Sequence, residues 1–323
     1  MAPAQGVPSG RSGFKPAVPV EPNLIRPTYS LAIIALQSAG RNSHGRIFMH
    51  TVTANGAAIP ALGFGTFRMP DDDVQRILPQ ALKLGFRHVD TAQIYKNEAS
   101  VGDVIAKSGI ARGDIFLTTK VWVDQYRHDD FIKSVDESLT KLKTDYVDLL
   151  LLHWPKSDVP LAERIGALNE VHKAGKVRNI GVSNFNVALM DEAVKLSDAP
   201  IANNQIEYHP YLDQTKVIEA ARKHGISITA YYLMADGKVP GDAVLKDIGA
   251  KHGKTAAQVA LRWAVQQPDL IALSKTATES RLQENYDIFD FELSSDEMQA
   301  IFALAKADGR IVNPGHLAPE WDK

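Results

Sequence analysis

From residue 50 onward, short apolar runs alternate with stretches whose apolar residues recur every three or four positions. Runs at 61–64, 86–89, 115–119, Val147–Leu152, 179–182, 201–206, 226–230 and 270–273 read as eight strands. Two further short runs, 50–53 and 57–60, flank Asn55-Gly56, the dipeptide of a tight two-residue hairpin turn. Between the strands lie amphipathic segments. In 130–142, Phe131, Val135, Leu139 and Leu142 fall on one face of a 3.6-residue helix. Thr255 with Gln258, and Ser294 with Glu297, form capping boxes that start two more helices.

Strands that alternate with helices require right-handed crossovers and a parallel sheet. Such a sheet is buried on both faces, which suits the unbroken apolar run at Val147–Leu152. Eight repeats predict a single (β/α)8 barrel with an N-terminal β-hairpin and a short C-terminal tail. An open doubly wound sheet is the alternative. Its Gly-rich turn is missing, because Gly63-Phe64-Gly65 has no third glycine in place.

The polar residues concentrate where these strands end. Asp90-Thr91, Thr119-Lys120, His153-Trp154, Ser183-Asn184, Gln205 and Glu207, Tyr231-Tyr232 and Ser274-Lys275 follow seven consecutive strands. Each alone has a bland explanation as a cap or a solvated side chain. Together they would converge on the C-terminal face, where barrel enzymes place their chemistry. Burying so many polar groups costs free energy unless they satisfy one another or bind something.

Composition narrows the chemistry. The chain has 36 basic and 38 acidic residues and a formal charge of -2, so nothing marks it for nucleic acid or an anionic membrane. It contains no cysteine, which excludes disulfides, thiolate nucleophiles and thiolate-held metals. No run approaches the ~20 apolar residues of a membrane span. His88 and Asp90 alternate on one strand without further metal ligands near them, so no metal site is expected. Residues 1–48 are rich in Pro, Gly, Ala and Arg, with Glu21 the single acid. They are expected to form a disordered N-terminal extension; a transit peptide, or sequence upstream of a start at Met49, are the alternatives. Residues 49–323 then form the barrel, close to the ~250 residues typical of that fold.

Gly85-Phe-Arg-His-Val-Asp90-Thr-Ala-Gln-Ile-Tyr95-Lys-Asn-Glu98 resembles the first signature of the aldo-keto reductases. Leu152-His153-Trp154-Pro155, Gly181-Val-Ser183-Asn184-Phe185, Asn204-Gln205-Ile-Glu207-Tyr208-His209, and Ser274-Lys275-Thr276 with Arg281, Glu284 and Asn285 resemble further motifs of that family, in its order. The resemblance runs from Val52 to about Trp321. It implies a catalytic tetrad of Asp90, Tyr95, Lys120 and His153, with Tyr95 the proton donor, Lys120 strengthening it, Asp90 holding Lys120 and His153 orienting the carbonyl. It also implies NADPH. Ser183, Asn184 and Gln205 would hold the carboxamide and Tyr231 would stack on the nicotinamide. Lys275, Thr276 and Arg281 would grip the 2′-phosphate, and Glu284 and Asn285 would contact adenine. Gly65, Thr66 and Asp90 would lie against the cofactor. Phe67, Trp122, His153 and Trp154 would line the substrate pocket.

Three positions depart from the family's commonest pattern. Ser274 stands where proline is frequent, Thr276 where serine is, and Tyr232-Leu233 replaces a small residue and proline, which puts the pyrophosphate-covering loop in doubt. The short C-terminal segment is similar to that of bacterial 2,5-diketo-gluconate and methylglyoxal reductases. An NADPH-dependent reductase of small aldehydes, α-dicarbonyls or keto-sugars is therefore expected, as a cytoplasmic monomer. Two other functions stand beside it: a Schiff-base aldolase using a barrel lysine, and a non-catalytic NADPH-binding subunit.

Overall fold

The structure is a computed structural model that describes Met1 and residues 50–322. The expectation of a disordered segment over residues 1–48 lies outside the described residues, except for Met1. All that follows concerns one compact unit, Ala39–Lys323.

Strands β1 (Thr51–Ala54) and β2 (Ala57–Pro60) form the expected hairpin, with Val52 opposite Ile59. Asn55 and Gly56 both take positive φ, 46° and 91°, as a turn of this hand requires. The Asn55 amide donates to the carbonyls of Ile201 and His224, at 2.7 and 3.0 Å. The hairpin is thereby pinned where the barrel's sixth strand begins.

The remaining strands close into a parallel barrel. In chain order they are β3 (Leu62–Gly65), β4 (His88–Asp90), β5 (Phe116–Val121), β6 (Val147–Leu152), β7 (Val177–Ser183), β8 (Ile201–Glu207), β9 (Ser227–Tyr231) and β10 (Leu270–Ser274). They pair in sequence, and β10 returns to β3. All six residues of β6 are buried, as a strand covered on both faces should be. The open-sheet alternative is thus excluded.

Helices α1 (Asp71–Leu84), α2 (Glu98–Lys107), α3 (His128–Leu142), α4 (Leu161–Lys173), α5 (Val187–Leu196), α6 (Thr215–Lys223), α7 (Ala243–His252), α8 (Ala256–Val265), α9 (Ser280–Tyr286) and α10 (Ser295–Phe302) are the helices among the described residues. Both capping boxes are present. Thr255 Oγ1 accepts from the Gln258 N–H while Gln258 Oε1 accepts from the Thr255 N–H, and Ser294 and Glu297 repeat the exchange. No helix among the described residues is long and apolar enough to cross a membrane.

Several strand boundaries differ from expectation for identifiable reasons. Phe86 is not in β4. Its N–H donates to the carbonyl of Ala81 and completes the turn that ends α1 at Gly85, which has φ 126°. Strands β5 and β7–β10 each run one or two residues further than their apolar runs. Lys120, Ser183 and Tyr231 therefore sit inside strands, with their backbone polar groups in the barrel ladder. Polar side chains at these positions hide the true strand ends from a reading of hydrophobicity alone.

Candidate active site

Side chains two apart on a strand share a face. This parity sends His88 and Asp90, Thr118 and Lys120, and Asn203, Gln205 and Glu207 into the barrel, while Thr119 faces the helices. Gly63 on β3 gives the interior room, since a Cβ there would come within 2.7 Å of the His88 ring.

Lys120 lies at the centre and is fully buried. Its ammonium donates to Asp90 Oδ1 at 2.6 Å, to the Thr91 carbonyl at 2.9 Å and to the Tyr95 hydroxyl at 3.4 Å. Three N–H bonds thus meet three acceptors, which is the full capacity of the group. Burial lowers the Lys120 pKa and the Asp90 carboxylate opposes that effect. The second Asp90 oxygen accepts from Gln205 Nε2 at 2.8 Å.

Tyr95 belongs to a short 3-10 turn, Gln93–Tyr95, that follows β4. The residue is half-buried, but its hydroxyl end reaches the buried ammonium. Burial first, and then the Asp90 and Tyr231 groups, push its pKa well above the ordinary value. Lys120 lies within reach of the hydroxyl, as expected, and burial dominates the shift. The hydroxyl consequently keeps its proton throughout the neutral range. Neighbouring residues hold this loop. Asn97 accepts from the Thr91 hydroxyl at 2.8 Å and donates to the carbonyls of Thr66 and Met69. Gln93 accepts from the Trp122 N–H at 2.9 Å and donates to Ser134 and Ser138.

His153 follows β6 directly. Its ring meets Tyr95 and Trp122 edge-on, with centroids 5.7 and 5.2 Å away. Burial, with a smaller effect of the Lys120 charge, holds its pKa well below 6.5, so the imidazole is neutral. Its buried Nδ1 makes no hydrogen bond.

These groups floor a cavity of about 620 Å³ at the C-terminal ends of the strands. Gly65, Asp90, Tyr95 and His153 line it, as do Ser183, Asn184, Gln205 and Tyr231. Lys275 and Asn285 border it on the β10 side, and Phe67, Trp122 and Trp154 form apolar wall. Phe67 is exposed and packs its ring against Tyr95 at 5.0 Å. Asn184 sits in a left-handed conformation, φ 63°. It accepts from the Tyr231 hydroxyl at 2.7 Å and donates to the His153 carbonyl at 3.1 Å. Ser183 donates to the Gln205 carbonyl at 2.8 Å.

Four residues expected near the cofactor are not on this wall. Thr66 is fully buried and donates its hydroxyl to the Asp90 carbonyl at 3.1 Å. The Thr276 hydroxyl is engaged with the backbone of Thr278, and Glu284 accepts from the Thr255 hydroxyl at 2.6 Å. Arg281 is exposed on the first turn of α9. The sequence reading also missed several lining residues. Ile94 and Arg68 are neighbours of motif residues and were within reach of it. Val312, Pro314 and Leu317 are not, because nothing in their pattern says where the C-terminal segment turns. The segment Tyr232–Gly237 borders the cavity with Tyr232, Ala235 and Asp236 all at positive φ. Its departure from the family pattern therefore leaves a strained but well-packed loop, with Leu233 and Ala235 buried.

The donor set fits a nicotinamide dinucleotide. Ser183, Asn184 and Gln205 offer amide and hydroxyl partners for a carboxamide, the Tyr231 ring offers a stacking face, and Lys275 offers a cation at the rim. Among the described residues no group of three or more His, Asp or Glu could hold a metal ion.

Comparison with known proteins agrees with this geometry. The family model described as Aldo/keto reductase family matches residues 61–306. The chain is 47% identical over 268 residues to methylglyoxal reductase DkgB of Escherichia coli O157:H7, covering 82% of this chain and 100% of that protein. A solved structure of a candidate 2,5-diketo-D-gluconic acid reductase B is 72% identical, with TM-score 0.85, covering 85% of this chain and 98% of that one. A variant of Gox0644 solved in complex with NADPH is 35% identical, with TM-score 0.77, covering 82% and 97%.

Proposed function

The chain belongs to the aldo/keto reductase family of oxidoreductases, and from that premise we propose that it reduces small aldehydes and α-dicarbonyl compounds to alcohols with NADPH. The observation that carries the proposal is the arrangement of Asp90, Lys120 and Tyr95, a buried ion pair beside a phenol, on the floor of a cavity with apolar walls.

Bound along Tyr231, Asn184 and Gln205, the reduced nicotinamide supplies a hydride. The chain's residues do the rest. The Tyr95 hydroxyl, protonated at neutral pH, gives its proton to the carbonyl oxygen. Lys120 lies 3.4 Å from that hydroxyl and stabilises the negative charge left on it. Asp90 keeps the ammonium in place, and Gln205 keeps Asp90 in place. The neutral His153 ring donates an N–H toward the carbonyl oxygen and orients it. General acid catalysis of this kind contributes about 10²–10⁴ in rate.

Lys275 and Arg281 favour NADPH over NADH, because an additional phosphate is best held by cations. Ile94, Trp122, Trp154, Val312 and Leu317 give the cavity an apolar wall, which suits small carbonyl compounds with apolar substituents, while Arg68 lines the same cavity as a cation. A Schiff-base reaction at Lys120 is disfavoured, since all three of its N–H bonds and its ion pair would have to be broken first.

The test is NADPH oxidation with methylglyoxal and an aromatic aldehyde, with Tyr95→Phe alongside. Turnover faster with NADPH than with NADH, falling about 10³-fold in the variant while NADPH affinity is kept, is the expected result. Full activity in the variant would remove Tyr95 as the proton donor. NADPH binding without turnover would favour the non-catalytic subunit.

A further inference from the structure

We propose that Glu207 is a positioning residue that fixes the C-terminal wall of the cavity and thereby sets which carbonyl compounds fit. The kinetic part rests on the carbonyl-reduction reading above, whereas the structural part does not.

Glu207 ends β8, two residues beyond Gln205 on the same interior face, and is fully buried. A buried carboxylate is retained only where it is fully partnered. Here the partners come from a segment about a hundred residues later in the chain. Oε1 accepts from the Ile311 N–H at 2.7 Å and Oε2 from the Val312 N–H at 3.0 Å. Arg310 Nη1 lies 3.5 Å from Oε2. His209, also fully buried, approaches Oε1 through Nε2 at 3.1 Å. Because His209 Nδ1 accepts from the Tyr211 N–H at 3.3 Å, the proton resides on Nε2 and is donated to Glu207. The carboxylate thus holds two successive backbone amides, and nothing in carbonyl reduction requires it.

The held segment forms part of the cavity. Val312 and Leu317 line it. Trp154, Leu317 and Ala318 form an apolar cluster separate from the barrel core, with Trp122, Val312 and Trp321 packed against it. Glu207 is therefore the polar tie between that cluster and β8. Neighbouring contacts act in the same sense. The Lys306 N–H donates to the Tyr211 carbonyl at 3.0 Å, and Gly309 packs so closely on that carbonyl that a Cβ would overlap it. The Trp321 ring lies 3.5 Å from the Arg310 guanidinium, and its indole N–H reaches Asn313.

Glu207→Gln keeps the shape but places an amide N–H against a backbone N–H. The expected result in the folded variant is faster amide exchange at Ile311 and Val312. With it goes a rise in KM of about ten-fold for a bulky aromatic aldehyde, with kcat changed much less. Tyr231 lies beside Glu207, so NADPH affinity is measured in parallel and should be retained. Unchanged exchange and unchanged KM would overturn the proposal. So would a parallel fall in active fraction and melting temperature with KM intact, since that is a purely structural role. If Glu207→Gln does not fold, Gly309→Ala displaces the same segment without touching the carboxylate. It should raise KM likewise, and an unchanged KM there counts against the anchor. If the wild type reduces no carbonyl at all, the reductase reading fails, while the exchange rates still decide whether Glu207 is the anchor.

Discussion

Gln205 on β8 donates to Oδ2 of Asp90 on β4 at 2.8 Å, and these strands stand four places apart in the ring of eight. The bond therefore crosses the barrel. With Lys120 on Oδ1, both oxygens of Asp90 are held, so the ammonium beneath Tyr95 has a fixed address. Gln205, expected to serve the carboxamide, also braces the ion pair. Hydrogen bonds to charged groups contribute about 1.5–3 kcal/mol. Gln205→Met should lower stability by that order and reduce kcat as well as NADPH affinity. Loss of affinity alone, with kcat intact, would show that the brace has no catalytic consequence.

Lys120 and Asp90 form a buried pair whose halves cannot be removed singly at low cost. Lys120→Met leaves an uncompensated carboxylate and should destabilise the protein by about 3–5 kcal/mol. Combining it with Asp90→Asn should recover most of that stability and none of the reductase activity. Urea unfolding and NADPH oxidation on the single and double variants check both halves of the statement.

His88 contributes a pH dependence to stability. Burial first holds its pKa down to about 4, against 6.5 in an unfolded chain. Between these values the unfolded state binds a proton that the folded state does not, so stability falls as pH decreases from 6.5 to about 4. The loss from this group is about 3 kcal/mol and is complete near the lower value. Above 6.5 it makes no further difference. His88→Gln, which keeps a partner for the Thr118 hydroxyl, should flatten the acid limb of melting temperature against pH. An acid limb of unchanged slope would assign the effect to other groups.

Arg281 is exposed on the first turn of α9, four residues before the cavity-lining Asn285, and its proposed role predicts a discrimination rather than a general loss. Arg281→Ala should raise the NADPH dissociation constant about ten-fold or more and leave that of NADH within about two-fold, as expected when a charge-assisted contact to one phosphate is lost. Equal weakening of both cofactors would point to a packing role for α9.

Periodicity and turn chemistry were sufficient for the eight strands, the hairpin at Asn55-Gly56 and both capping boxes. Each depends on neighbours within a few residues, where sequence order is spatial order. Strand ends were the weak point. Lys120 and Tyr231 are polar-tipped residues inside strands, while the apolar Phe86 gives its N–H to the helix before β4. The family resemblance also grouped Asp90, Tyr95, Lys120 and His153, of which Asp90, Tyr95 and His153 line the cavity and Lys120 is buried against Asp90 and Tyr95. What those residues do to one another was left to the tertiary structure. The chain could not show that Lys120 meets three acceptors at once, that burial keeps Tyr95 protonated and His153 neutral, or that Thr66 turns away from the cavity. It gave no sign that Glu207 reaches Ile311 and Val312. Such properties arise from burial and from contacts across the barrel, where low dielectric strengthens every charge interaction and closure joins residues far apart in the chain.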